Sequence, residues 1–180
     1  MTMFGFFMFK PLDDAQRARL AELIAEFGVE LPAREGTIPM PGTVPVPGAS
    51  GTLSGVVTYG DVFIEWEAGV PQRAVQISNP ARWAWVPSGW WAALRNVAPP
   101  ELWVPFTYLA FLESDYREDA KNPSDLEESW GALQVNRRAW PQYSVDYLTT
   151  YVGNIAAALD IYNIQGFGAW YNSARLLGLI

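Results

Sequence analysis

Apolar positions change their period several times along the chain, and each change marks an element. Between Leu12 and Gly28, the residues Leu20, Leu23, Ile24 and Phe27 fall at i, i+3, i+4 and i+7, one face of a helix. Asp13 or Asp14 can cap its start, and Gly28 is placed to end it. From Leu31 to Ser50 that period stops. Pro32, Pro39, Pro41, Pro45 and Pro47 alternate with Gly36, Gly42 and Gly48, so neither a helix nor a central strand can form, and an extended connector is predicted. Between Leu53 and Ile77 the pattern is strand-like. Val56 and Thr58, the turn Tyr59-Gly60-Asp61, and Val62, Phe63, Ile64 and Trp66 predict a hairpin, with a third short strand over Arg73–Ser78.

Beyond Pro99 the period is helical. One helix is predicted over Leu102–Asp115, with Pro105 in its first turn, where a missing N–H costs little. A second is predicted over Val145–Gln165, carrying Leu148, Tyr151, Val152, Ile155, Leu159 and Tyr162 on one face and Gly166 at its end. A shorter third runs over Gly168–Leu177. The expected class is α+β. A helix and Pro-rich arm occupy residues 1–50, a small antiparallel β segment 51–81, and a mainly helical domain 82–180.

Composition narrows the chemistry. Half of the 180 residues are hydrophobic, so the chain can bury a core, and nine Trp, eight Tyr and nine Phe exceed what a minimal core needs. Four Trp fall within Arg82–Trp91; they serve either as packing or as a flat platform for a sugar or a partner. Twelve Lys and Arg against nineteen Asp and Glu give a net charge of −7, the wrong sign for tracking phosphates, which excludes a nucleic-acid partner. With no Cys and no His, disulfides, thiolate zinc sites, Cys nucleophiles and Ser-His-Asp triads are excluded, and no metal or cofactor is expected. Acid–base work falls to carboxylates, Tyr, Lys10 and Lys121. No apolar run reaches the 18 or so residues of a membrane span. The opening MTMFGFFMFKP lacks a basic leader and a small-residue cleavage site, and reads as a patch packed on this protein or a partner rather than a secretion signal.

Glu113 is the candidate acid. At 100° per residue, Leu102, Trp103, Phe106, Leu109, Ala110 and Glu113 share one stripe of the predicted helix. Apolar surroundings and the negative end of a helix dipole both raise a carboxyl pKa, which suits a general acid. The alternative is a solvated glutamate at a helix end.

Glu113-Ser114 is followed by Ala120, then by Ser129-Trp130-Gly131-Ala132-Leu133-Gln134-Val135-Asn136. Gly153-Asn154-Ile155 with Ala156, Ala157 and Ala158 comes next, and Gly166-Phe167-Gly168-Ala169-Trp170-Tyr171-Asn172-Ser173 last. In this order the segments resemble the lysozyme-like family of soluble lytic transglycosylases and goose-type or bacteriophage lysozymes. The resemblance covers residues 99–175 and does not reach residues 1–80. It implies a lysozyme-like fold with a cleft for peptidoglycan glycan strands, cut between N-acetylmuramic acid and N-acetylglucosamine. It places Glu113 as the catalytic acid, acting afterwards as base on water or on a sugar hydroxyl. It also places Ser129, Gln134 and Asn136 on the cleft wall, and Tyr171 and Asn172 in a Tyr-Asn motif whose hydroxyl lies near the acid.

Plainer readings stand beside these: a capping Ser129, a solvated Gln134, a core Tyr171, and Trp130 and Trp140 either stacking on sugars or packing. Gly131 reads as structural, allowing close approach of backbone or sugar. Asp125, Glu127 and Glu128 are the loop's candidates for a second carboxylate, although a solvated acidic loop is the plainer reading of them. Asp115, Glu118 and Asp119 lie closer to Glu113 in sequence, and a solvated helix end explains them as well. The missing secretion signal and the Pro-rich, Trp-rich front end lead to an expected place in a phage particle, with residues 1–50 attaching to other virion or tail proteins. The rival expectation is a structural virion or tail component with a lysozyme-like fold and little or no catalysis, and a third is a carbohydrate-binding module with an inert cleft.

Overall fold

The computed structural model describes residues 54–122, 124 and 127–180. The helix expected over Leu12–Gly28, the connector over Leu31–Ser50 and the apolar opening segment lie outside the described residues. Strands β1 (Gly55–Tyr59), β2 (Val62–Glu67), β3 (Val70–Gln76) and β4 (Trp83–Trp85) form an antiparallel sheet in sequence order. Helices α1 (Ser88–Val97) and α2 (Pro100–Ser114) follow, then a two-stranded ribbon of β5 (Ser129–Trp130) and β6 (Val135–Asn136). Helices α3 (Val145–Leu148) and α4 (Tyr151–Gln165), a 3₁₀ segment over Gly166–Trp170 and α5 (Tyr171–Leu177) complete an α+β arrangement.

The hairpin turns at Gly60-Asp61, with Tyr59 opposite Val62. Gly60 has φ +50°, and a Cβ there would run into the Leu176 carbonyl, because the turn sits directly on α5. Asp61 holds that junction: its N–H donates to Leu176 O at 3.2 Å, while its carboxylate accepts from Ser78 N (2.8 Å), Gln76 Nε2 (2.9 Å) and the Ser78 hydroxyl.

Strand β3 begins at Val70, three residues before the expected Arg73. Pro71 makes the segment look broken in sequence, yet a register shift at Glu65/Trp66 accommodates it opposite Trp66. The sheet also runs past residue 81 into β4, which divides the tryptophans. Trp83 and Trp85 are exposed, and Trp90 and Trp91 are buried.

Strands and helices share one core. Val62, Ile64, Trp66 and Ala74 from the sheet join Trp90, Leu94, Tyr108, Leu109 and Ile161. Helix α2 is buried all round: from Leu102 to Leu112 every residue but Pro105 is buried, rather than the single stripe expected. Val104, Tyr108, Phe111 and Leu112 complete the circumference, and the polar members are satisfied. Thr107 donates to Trp103 O at 2.7 Å, and the Tyr108 hydroxyl donates to Val57 O in the sheet. Because α2 starts at Pro100, Pro105 lies in its second turn, where it forgoes an N–H to Glu101 O.

The single helix expected over Val145–Gln165 is two helices. Thr149 Oγ1 bonds back to Val145 O at 3.0 Å, and the Thr150 hydroxyl accepts from Gly153 N at 3.1 Å, so a new helix is capped where the old one stops. The buried face of α4 is consequently Asn154, Ile155, Ala157, Ala158 and Ile161, and Val152 is exposed. The expected helix from Gly168 likewise divides into a 3₁₀ turn followed by α5.

Candidate active site

Glu113 is the penultimate residue of α2, and the helix end is built to hold it. Asp115 and Tyr116 are both left-handed (φ 54° and 66°), and their N–H groups return to Phe111 O (3.0 Å) and Ala110 O (3.2 Å). Arg82, just before β4, also reaches this helix end. Its Nη2 donates to Phe111 O (2.9 Å) and Leu112 O (2.8 Å), and its Nε to Asp115 Oδ1 (3.1 Å). Ser114 turns inward and donates to Ala132 O at 2.8 Å, which ties the helix end to the β5–β6 turn. Its neighbour Glu113 remains partly buried and opens onto a cavity.

The β5–β6 turn forms the opposite wall. Gly131 has φ +77°, and a Cβ would run into the Asn154 amide and the Leu148 carbonyl. Asn154, fully buried on α4, accepts from Leu133 N (2.7 Å) and donates to Trp130 O (2.9 Å) and Leu148 O (3.0 Å). Gln134, left-handed at φ 48°, donates through Nε2 to Ala120 O (3.2 Å) and Gly131 O (2.9 Å), bracing the turn from its cleft side. Trp170 Nε1 bonds Leu133 O at 2.7 Å and joins this wall to the segment before α5.

The cavity between these walls measures about 670 Å³, within the range of small-ligand clefts. It is lined by Glu113, Ser129, Gln134, Asn136, Tyr171 and Asn172, all the residues placed in a site from sequence, together with Glu127 and Trp140. Other candidates lie elsewhere. Glu128 is paired with Arg137 Nη1 at 2.6 Å, which lowers its pKa, and Glu118 accepts the Tyr151 N–H at 2.8 Å at the head of α4. Asp115 is paired with Arg82, Asp119 is exposed, and Asp125 lies outside the described residues. Trp130 packs against the core with the Lys121 ammonium 5.1 Å from its ring centroid.

The hydroxyl that opposes the rise in the Glu113 pKa is that of Ser173, which the sequence showed only as the tail of a motif. Tyr171, two residues earlier and so about 200° away around α5, is 56% exposed, with its hydroxyl 3.5 Å from Arg175 Nη1. Neither Ser173 nor Arg82 carries a local signal: each acts across more than 25 residues of chain.

Burial raises the pKa of Glu113. The Ser173 hydrogen bond and the Arg82 charge oppose that shift, and the charge of Glu127 adds to it. Glu127 in turn accepts from Asn122 Nδ2 at 2.9 Å. Removing its charge in Glu127→Gln is therefore expected to lower the pKa of Glu113. The alkaline limb of any Glu113-dependent rate would move to lower pH, as a pH–rate profile would show. A limb that stays in place or moves upward rules this coupling out.

Among the described residues no group of three or more Asp or Glu is placed to hold a metal ion. No protein-family model, curated protein or solved structure matches the chain. What the site offers chemically is a carboxylic acid that keeps its proton beyond the ordinary range, at the wall of a polar cleft.

Proposed function

We propose that the protein is a peptidoglycan-cleaving enzyme of the lysozyme-like kind, a glycosidase or lytic transglycosylase with Glu113 as general acid. The observation that carries this reading is the raised-pKa carboxyl of Glu113 opening into one cleft with Ser129, Gln134, Asn136, Tyr171 and Asn172. Those residues come from three separate segments of the resemblance. The Glu113 proton passes to the glycosidic oxygen as the C1–O bond breaks, leaving positive character on the sugar ring. The carboxylate, held by the Ser173 hydroxyl and the Arg82 charge, then takes a proton from the attacking oxygen. Water as the attacker gives a reducing end, and the C6 hydroxyl of the same sugar gives a 1,6-anhydro product. Glu127 lines the same cleft, and its charge bears on how tightly Glu113 holds its proton.

Zymography on purified walls, with mass analysis of the released sugars, tests the reading. Clearing with either product supports it, and chelator is expected to leave the rate unchanged, since carboxylates carry every proton transfer. A strict requirement for a divalent ion would place the protein in another class.

A second reading, a structural virion or tail component with little or no catalysis, draws on Trp83 and Trp85. These stand 48% and 62% exposed on the outer strand of the sheet, as a packing face would. A folded protein that never clears walls selects it. Both readings place the protein in a phage particle, held through residues 1–50.

A further inference from the structure

The four-stranded sheet is buried on both faces. Along β2, Val62 and Ile64 point into the core shared with the helices, and Phe63 between them faces the other way. Antiparallel partners share a face, which puts Val75 beside Phe63 and, through the bond from Ile77 N to Asp61 O, Ile77 next along. These three side chains are fully buried and form an apolar cluster apart from the main core, with Val56 of β1 partly buried against it. Neighbours in a sheet shield the flanks of such side chains and leave their tips open, so burial this complete requires a layer on top. The buried apolar residues of every described helix lie in the main core, on the opposite face.

The missing layer is narrow. On the same face, Trp83 opposite Val75 and Trp85 opposite Arg73 are exposed, so the covered ground stops short of β4. It spans β1 to β3, about 10 Å at the usual strand spacing, which is the width of one helix. Residues 123, 125 and 126 are confined to the cleft loop between Asn122 and Glu127, which bond to each other at 2.9 Å. That leaves residues 1–53, which lead directly into β1. Among them Leu20, Leu23, Ile24 and Phe27 make an apolar stripe about 10 Å long at 1.5 Å per residue. The Pro-rich stretch Leu31–Ser50 can reach about 60 Å when extended, ample to return across the sheet. We propose that residues 12–28 form the outer layer of this domain, with that stripe packed on Val56, Phe63, Val75 and Ile77, so that the sheet lies between two helical layers. Residues 1–9 are then left for attachment to a partner. The proposal is independent of the chemistry in the Glu113 cleft, and a chain that never clears walls leaves it standing.

The chain has no Cys, so one introduced thiol reports on one position. In the full-length protein Val75→Cys is expected to react slowly with a maleimide. Adding Leu23→Asp and Ile24→Asp should speed that reaction by about 10²–10⁴-fold, the equilibrium equivalent of two lost apolar burials. Ala18→Asp with Ala25→Asp puts the same two charges on the opposite side of the expected helix and should leave the rate nearly unchanged. Ala74→Cys faces the main core and should stay protected throughout. Where the aspartates expose both thiols alike, the domain has unfolded, and cross-linking in the otherwise unchanged chain decides. Val56→Cys paired with Leu20→Cys, Leu23→Cys, Ile24→Cys or Phe27→Cys should then be joined by a short bismaleimide faster than Val56→Cys paired with Ala18→Cys or Ala25→Cys. Equal cross-linking from both sides overturns the proposal. So does a Val75→Cys thiol that stays protected with the aspartates in place, which would assign the face to another part of residues 1–53. Protection that falls on dilution would assign it to a second copy, and a thiol open in the isolated chain would assign it to another protein; each of these overturns the proposal as well.

Discussion

Glu113→Gln is expected to reduce wall cleavage by about 10²–10⁴-fold, the usual contribution of a positioned general acid, while the fold stays intact. The amide keeps the shape of the side chain and can still accept from Ser173, but it has no proton to give to a leaving oxygen. Single amide substitutions at Glu127 or Glu128 should cost far less. Glu128 is engaged by Arg137, and Glu127 acts on Glu113 through its charge. Activity within about twofold of the unchanged chain would remove Glu113 from the mechanism. A loss at Glu127 as large as that at Glu113 would replace the single-acid scheme with a two-carboxylate one.

The same substitution has a consequence for stability, and its direction is determined by the raised pKa. The folded state holds the Glu113 proton more tightly than the unfolded chain does. Its favourable contribution is therefore complete below the ordinary glutamate range and is lost as pH rises through the folded value. Above that value the native chain carries a partly buried charge that Gln lacks. Glu113→Gln should thus melt higher than the unchanged protein at pH 8, and the difference should shrink by pH 4. A difference that grows towards acid would mean that the carboxylate is stabilised in the fold, the reverse of what its surroundings impose.

The largest stability effect is expected at Asn154. Replacing it with Leu removes three hydrogen bonds at once and leaves Leu133 N–H, Trp130 C=O and Leu148 C=O without their partner in a fully buried place. At about 1–3 kcal/mol for each of the three orphaned groups, a loss of about 3–9 kcal/mol is expected, a large part of the stability of an ordinary domain. Denaturant unfolding measures it. Cleavage should fall as well at temperatures where the protein is still folded, because the turn that Asn154 clamps carries Ser129, Gln134 and Asn136 to the cleft. A change below about 1 kcal/mol would show that the turn is held by something other than this side chain.

Several elements were legible because their signals are local. The Gly60-Asp61 turn, the helix that delivers Glu113 and the end of α4 at Gly166 follow from proline, glycine and apolar spacing, which act over one or two turns of chain. The position of Glu113 among apolar residues near a helix end was enough to give the direction of its pKa. What stayed hidden depends on partners far along the chain or on competition between equal local choices. Thr149 and Thr150 are compatible with a continuing helix, and their hydroxyl bonds to backbone end it. Strand β4 exists because Ala84 and its neighbours find β3, and Pro71 is tolerated because the sheet shifts register there.

The same distinction runs through the site. By itself the sequence determined which residues are able to do acid chemistry, since without Cys or His only carboxylates, Tyr and two Lys remain. The tertiary structure decided which of them face one another. It closed Arg82 over the end of α2 from 29 residues away, brought Ser173 to bear on Glu113, and drew Glu128 to Arg137 while leaving Glu127 in the cleft. A side chain's direction follows from the packing of whole elements, and no spacing within a single segment encodes it.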